Sequence, residues 1–181
     1  RSNGAFIDKQ ADADTLINNT IVGYERGIYL RGPQPNDAGD GHVIRNNILT
    51  DVFTGYHLAK DLGATFGFLD YNDVDVRDDG RVGFITGTTY ETLAEWRTAS
   101  GGDANSISLD PLFVSVAGTP DTWDLYLQSQ AGHWTVGGFV SDASSSPAID
   151  AGQPDDSVGD ETAPNGNRIN LGVYGGTAQA S

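Results

Sequence analysis

The densest run of chemically capable side chains in this chain is "DYNDVDVRDDG", from Asp70 to Gly80. Carboxylates spaced at i, i+2 and beyond on a turn can converge on a hard cation, which wants several oxygen ligands. Asp73, Asp75, Asp78 and Asp79 are therefore the candidate metal ligands, with Ca²⁺ as the ion, and a solvated acidic turn is the other reading of the stretch. Asp75, Arg77, Asp79 and Gly80 begin like an EF-hand loop, but Arg77 occupies a ligand position and Thr86 stands where the bidentate Glu belongs. It is not an EF-hand. A second oxygen-rich stretch, "DAGQPDDSVGDETAPNGNR", carries Asp150, Asp155, Asp156, Asp160 and Glu161, with Arg168 able to bridge it back to the body. Its Pro/Gly/Asn character reads as a long closing loop, with cation binding as the alternative role.

Four further side chains offer chemistry: His57, Lys60, Tyr29 and Trp134. His57 is followed closely by Lys60 and Asp61, and strand alternation sends His57 outward beside Tyr29. An outward His in such company can contact a sugar or move a proton. The catalytic candidates are accordingly His57, Lys60, Asp73 and Asp75. No Ser-His-Asp order, HExxH or P-loop is present. Trp134, beside His133 in "QAGHWTVGG", is the tryptophan expected to stack on a ligand ring, so the carbohydrate-contact set is Trp134, Tyr29 and His57. Trp96 reads as packing and Trp123 as a strand anchor.

What positions these groups is a repeat. "INNTIVGYERGIYL" from Ile17 and "RNNILTDVFTGYHL" from Arg45 match at Asn18/Asn46, Asn19/Asn47, Gly27/Gly55 and Leu30/Leu58, an offset of 28 residues. A third copy runs from Asn72 to Ile85, with Asn72 following Asn46 by 26 residues and Gly83 following Gly55 by 28. A weaker fourth runs from Asn105 to Val114. Each copy holds short β-branched and aromatic runs broken by Gly, Asn and Asp, which are strands and turns. One such unit cannot bury its own apolar face, whereas stacked units can. Paired Asn at a corner suits left-handed backbone, and the amides can bond along the column.

The fold expected is all-β: a right-handed parallel β-helix solenoid of few coils, with one short helix excursion and an irregular C-terminal cap. Residues 1–114 would form the coils, including a helix over about 89–100, and residues 115–181 the closing segment of the same domain. In "TTYETLAEWRTASGG" Thr88 and Glu91 suggest a capping box, Tyr90, Leu93, Ala94 and Trp96 one apolar face, and Gly101 and Gly102 the end.

Composition excludes several classes. Lys plus Arg total 10 against 25 acids, a formal charge of −15, which repels nucleic acid and anionic membranes. Acidic polysaccharides would need a bridging divalent cation. There is no cysteine, hence no disulfide frame or thiolate metal site. No stretch nears the ~18 apolar residues of a membrane span. There is no methionine, even at position 1, so the chain reads as a piece of something longer. An excised piece would expose an unpaired first coil and self-associate through it.

These residues resemble the C-terminal portion of right-handed parallel β-helix repeat proteins, the pectate-lyase-like superfamily. The resemblance rests on "NNTIVGYERGIYL", "IRNNILTDV", "YETLAEWRTASGGDANSISLDPLFV", "SPAIDAG" and "NGNRINLGVYGG", from about Asn18 to Gly176. It implies a secreted or cell-surface bacterial protein that binds or processes polysaccharide, this chain serving as scaffold, cap and glycan-contact surface. Two alternatives accompany it: a non-catalytic, Ca²⁺-stabilised adhesin-like segment, and a polysaccharide lyase or glycoside hydrolase. The superfamily's acidic Ca²⁺ cluster beside a catalytic Arg or Lys has no counterpart here, so the chain alone is expected to be non-catalytic.

Overall fold

A computed structural model describes residues 2–8, 13–31, 41–58 and 66–181. Lys60 lies outside them. Thirteen strands and one α-helix make the described part an all-β structure. β1 (Asn3–Asp8), β2 (Thr15–Ile17), β3 (Thr20–Val22), β4 (Arg26–Arg31) and β5 (His42–Arg45) precede the two long strands. Those are β6 (Ile48–Leu58) and β8 (Asp73–Ile85), separated by β7 (Phe66–Asp70).

The larger sheet runs β1-β4-β6-β8-β9, with β3 also on β6, and the second runs β2-β5-β7. Pairing is parallel and joins residues one repeat apart: Ile21 lies against Leu49, and Leu49 against Val74. The sheets are nonetheless small and mixed rather than wholly parallel. β9 (Thr88–Tyr90) folds back antiparallel onto Gly83–Ile85. Thr86 and Gly87 permit that reversal, both with positive φ (43° and 88°).

That pairing also corrects the helix. Thr88–Tyr90 is strand, and α1 spans Leu93–Ser100 with Thr92, not Thr88, as its N-cap. The capping box is Thr92 with Glu95, and Gly101 ends the helix at φ 70°.

Alternation along the strands puts Ile21, Leu49 and Val74 into the main core, with Ile28, Tyr56 and Leu58 from the later halves of β4 and β6. Trp96 joins this core, wholly buried. Its ring stacks on Tyr56 at 5.1 Å and fills the space left by Gly83, where a Cβ would stand 2.0 Å from the indole. Leu93 packs on the same core, and Arg97 donates to the carbonyls of Asp103 and Ser106, so three side chains hold the helix. Asp103 holds that indole, accepting from Trp96 Nε1 at 2.8 Å.

The corner asparagines form a continuous column. Asn19 Nδ2 donates to Asn47 Oδ1 at 2.9 Å, Asn47 Nδ2 to Asn72 Oδ1 at 3.0 Å, and Asn72 Nδ2 to Asp103 Oδ1 at 3.2 Å. Asn18, Asn46 and Tyr71, each one residue earlier, share φ of 55°, 57° and 55°. Asn72 is therefore the counterpart of Asn47, and Tyr71 stands in the place of Asn46.

After Ile107, which bridges Asp73 in parallel, the chain changes character. β10 (Phe113–Ser115) pairs with β11 (Asp124–Leu127), and β12 (His133–Thr135) with β13 (Gly138–Val140), both antiparallel. This closing segment lies over the outward side of the larger sheet. Ile48 makes a second core there with Leu127, Ala148 and Leu171. Asp156 ties it to the corner column, accepting from Arg45 Nε at 2.7 Å and Nη2 at 3.0 Å and from Asn46 Nδ2 at 2.7 Å.

Candidate functional site

Residues that alternate with the core point outward, and on the larger sheet they form two regions. On the later halves of β4, β6 and β8, Tyr29, His57 and Phe84 occupy one register across three strands. Tyr29 and His57 meet edge-on at 4.9 Å, and His57 stacks on Phe84 at 4.5 Å. All three rings are half-buried, each between strand neighbours that are buried. Arginines flank the row: Arg26 lies 4.5 Å from the Tyr29 centroid, and Arg81 lies over Phe53 and Phe84 at 4.7 and 5.5 Å. The expected meeting of Tyr29 with His57 is present, and the structure adds Phe84.

On β3 and the earlier half of β6, Val22, Thr50 and Asp51 face the closing segment across a cleft of about 290 Å³. Asp110, Phe113, Trp123 and Gln128 line its other side. Asp75 stands beside it in register with Thr50, whose hydroxyl donates to Asp75 Oδ2 at 2.7 Å. Burial raises the Asp75 carboxyl, the Thr50 bond opposes that, and the charges of Asp110 and Asp51 add to the rise. Asp73, two residues earlier on the same side of β8, is fully buried beneath Leu109, whose N–H donates to its Oδ1 at 3.1 Å. Burial pushes its carboxyl up to about 7, with Asp75 and Asp110 adding to the effect.

The predicted metal quartet is spread out rather than gathered. Asp73 is buried and Asp75 half-buried, while Asp78 and Asp79 are exposed where β8 leaves its ladder with β6 between Val76 and Arg81. Among the described residues no three His, Asp or Glu side chains gather to hold a metal ion.

The catalytic candidates also divide. Asp73 and Asp75 are neighbours, but His57 lies seven residues beyond Thr50 along β6, roughly 20 Å for an unbent strand. Trp134 does not join the Tyr29–His57 row through any ring contact among the described residues. Its ring packs at 5.5 Å on Tyr126, which in turn stacks on Tyr174 at 4.0 Å. The neighbouring His133 binds Asp142 across the β12–β13 hairpin, Nδ1 to Oδ2 at 2.7 Å.

The model of the family described as disaggregatase related matches residues 4–152, well over half of the chain. The chain belongs to the disaggregatase-related family. Comparison with curated proteins and with solved structures returned no match. Membership of the disaggregatase-related family corrects the pectate-lyase-like assignment, because the match covers most of the residues on which that resemblance rested. The physical reason lies in what those residues encode. Short apolar runs punctuated by Gly and Asn specify strands and corners, which marks an architecture and not one superfamily. The carbohydrate character that the assignment carried has no support from the family match.

Sequence reading missed Phe84, Trp123, Asp51 and Asp110. Phe84 was in reach: aligning Gly83 with Tyr56 instead of Gly55 puts it beside His57. The cleft residues carry no local signal, because the closing segment brings them together across the sheet.

Proposed function

We propose that the chain is a stacked-coil support whose outward sheet face contacts a neutral, extended polymer, with polysaccharide as its chemical class. The parallel pairing at one-repeat intervals and the asparagine column support the coil reading. The observation that carries the contact reading is the register of Tyr29, His57 and Phe84 on adjacent strands. A row of half-buried rings offers apolar contact to the C–H faces of sugar rings, and arginines at its edge can donate to hydroxyls. A formal charge of −15 favours a neutral partner over an anionic one.

The family's description relates it to a disaggregatase, a word for separating aggregated material. A face that grips an extended polymer has a place in such work. With the reading goes a secreted or cell-surface place of action.

Affinity electrophoresis through gels containing neutral polysaccharides tests the proposal. Retardation is expected in at least one neutral glycan, and Phe84→Ala and Tyr29→Ala should each weaken it several-fold. Unretarded migration in every neutral glycan, or retardation indifferent to both substitutions, would remove the reading.

A further inference from the structure

The second oxygen-rich stretch contains a feature the function above does not use. Glu161 is 6% exposed. Its Oε1 accepts from the N–H groups of Asn170 and Gly176 at 2.9 and 2.8 Å, but its Oε2 has no hydrogen-bond partner among the described residues. Asp150 is tied to the same asparagine, its N–H donating to Asn170 Oδ1 at 2.8 Å, and its Oδ1 is a second buried oxygen without a partner among the described residues. Gly166, at φ 59°, packs so closely that a Cβ there would strike the Asp150 carboxylate. Asn170 therefore links the Asp150 backbone to the Glu161 carboxylate, and the loop between Glu161 and Arg168 closes over the Asp150 carboxylate at Gly166.

Both open atoms are acceptors, and both belong to acids. The charge of Arg168 acts on Asp150, yet its guanidinium N–H groups go to the carbonyls of Ala151 and Gly152. A bound water would satisfy the acceptors and leave the charge. A proton would remove one charge and fill one acceptor. A divalent cation does both, and a hard one prefers carboxylate and carbonyl oxygens.

We propose that Asp150 and Glu161 bind a hard divalent cation of the Ca²⁺ class within the closing segment. Burial raises both carboxyls, the charge of Arg168 opposing the rise at Asp150 and the charge of Asp150 adding to that at Glu161. The sequence reading put Ca²⁺ first on Asp73, Asp75, Asp78 and Asp79 and held cation binding as the alternative role of this second stretch, within which Asp150 and Glu161 are now singled out. The inference is independent of any polymer contact.

The test is calorimetric titration of the EDTA-stripped, dialysed chain with calcium chloride, alongside thermal unfolding with and without the ion. One Ca²⁺ per chain is expected, with Tm raised by roughly 5 °C at saturation. Glu161→Gln keeps the Oε1 contacts and should weaken binding at least about tenfold, since it removes one charged ligand. Asp150→Asn should do the same, while Asp75→Asn with Asp79→Asn should leave binding intact. Absence of Ca²⁺ binding by the parent chain would overturn the proposal, assigning the open oxygens to water or a proton. Undiminished binding in Glu161→Gln would overturn it equally, by placing the ion at another site.

Discussion

Asn47 Nδ2 donates to Asn72 Oδ1 at 3.0 Å, although 25 residues separate them in the chain. Both side chains are fully buried, and Asn47 Nδ2 also serves the carbonyls of Leu16 and Arg45. Asn47→Ala would leave several of these groups unpaired at once. At about 1–3 kcal/mol for an unsatisfied buried group, the expected loss is about 3 kcal/mol. Urea unfolding should show the midpoint fall accordingly, and an unchanged midpoint would mean the column contributes no stability. Asn47→Asp is the sharper variant, since a carboxylate accepts from Asn19 but donates nothing to Asn72.

Gly83 predicts a steric result. A Cβ 2.0 Å from the Trp96 ring cannot be accommodated in place. Gly83→Ala should cost about 1–3 kcal/mol, the usual range for overpacking a core, and should expel the indole. Trp96 fluorescence shifting to the red is the readout. Retention of a buried emission with unchanged stability would contradict the plug.

Asp73 sets a pH dependence. Its carboxyl is raised to about 7, chiefly by burial, above an unfolded value of ~3.9. The folded state therefore binds more protons, so stability is fully present below about pH 4 and falls as pH rises toward 7. The slope over that window is about 1.4 kcal/mol per pH unit for one group. Asp73→Asn should flatten it and be more stable than the parent at pH 8. Equal slopes for parent and variant in unfolding measured from pH 4 to 8 would refute this origin.

Asp156 works in the opposite sense. The bond from Arg45 holds its carboxyl below the usual range, helped by Asn46. Its stabilisation is present above the unfolded value and is lost as pH falls through the lowered folded one. Arg45→Ala should destabilise the chain at pH 7 and converge on the parent once pH falls below the lowered Asp156 value. A constant gap between the two at all pH values would show that the pair acts through packing alone.

Much of the frame was legible. The Asn pairs repeat 28 residues apart, and the structure joins Asn19 to Asn47 by that same separation. A periodic contact leaves a periodic trace. The helix boundary was less legible, because Thr88 with Glu91 and Thr92 with Glu95 satisfy the same capping pattern. Pairing of Thr88–Tyr90 with β8, a tertiary event, chose between them. The third copy lost its register for a related reason, as Arg77–Gly80 insert into β8 between residues opposite Val52 and Thr54. The cleft was hidden altogether. Trp123 and Asp110 reach Thr50 only after the closing segment has settled on Ile48, and no spacing in the chain announces that.

The way the column ends has a meaning of its own. An amide has both a donor and an acceptor, so each asparagine passes the pattern to the next, like a monomer with two reactive ends. Asp103 takes the bond from Asn72 and, when ionised, has nothing to hand on. It is the chain terminator of a small polymer of hydrogen bonds, and the indole of Trp96 uses its second oxygen as the seal. Extending the stack past this point would require more than another copy of the repeat. It would require converting Asp103 into an asparagine and finding Trp96 somewhere else to go.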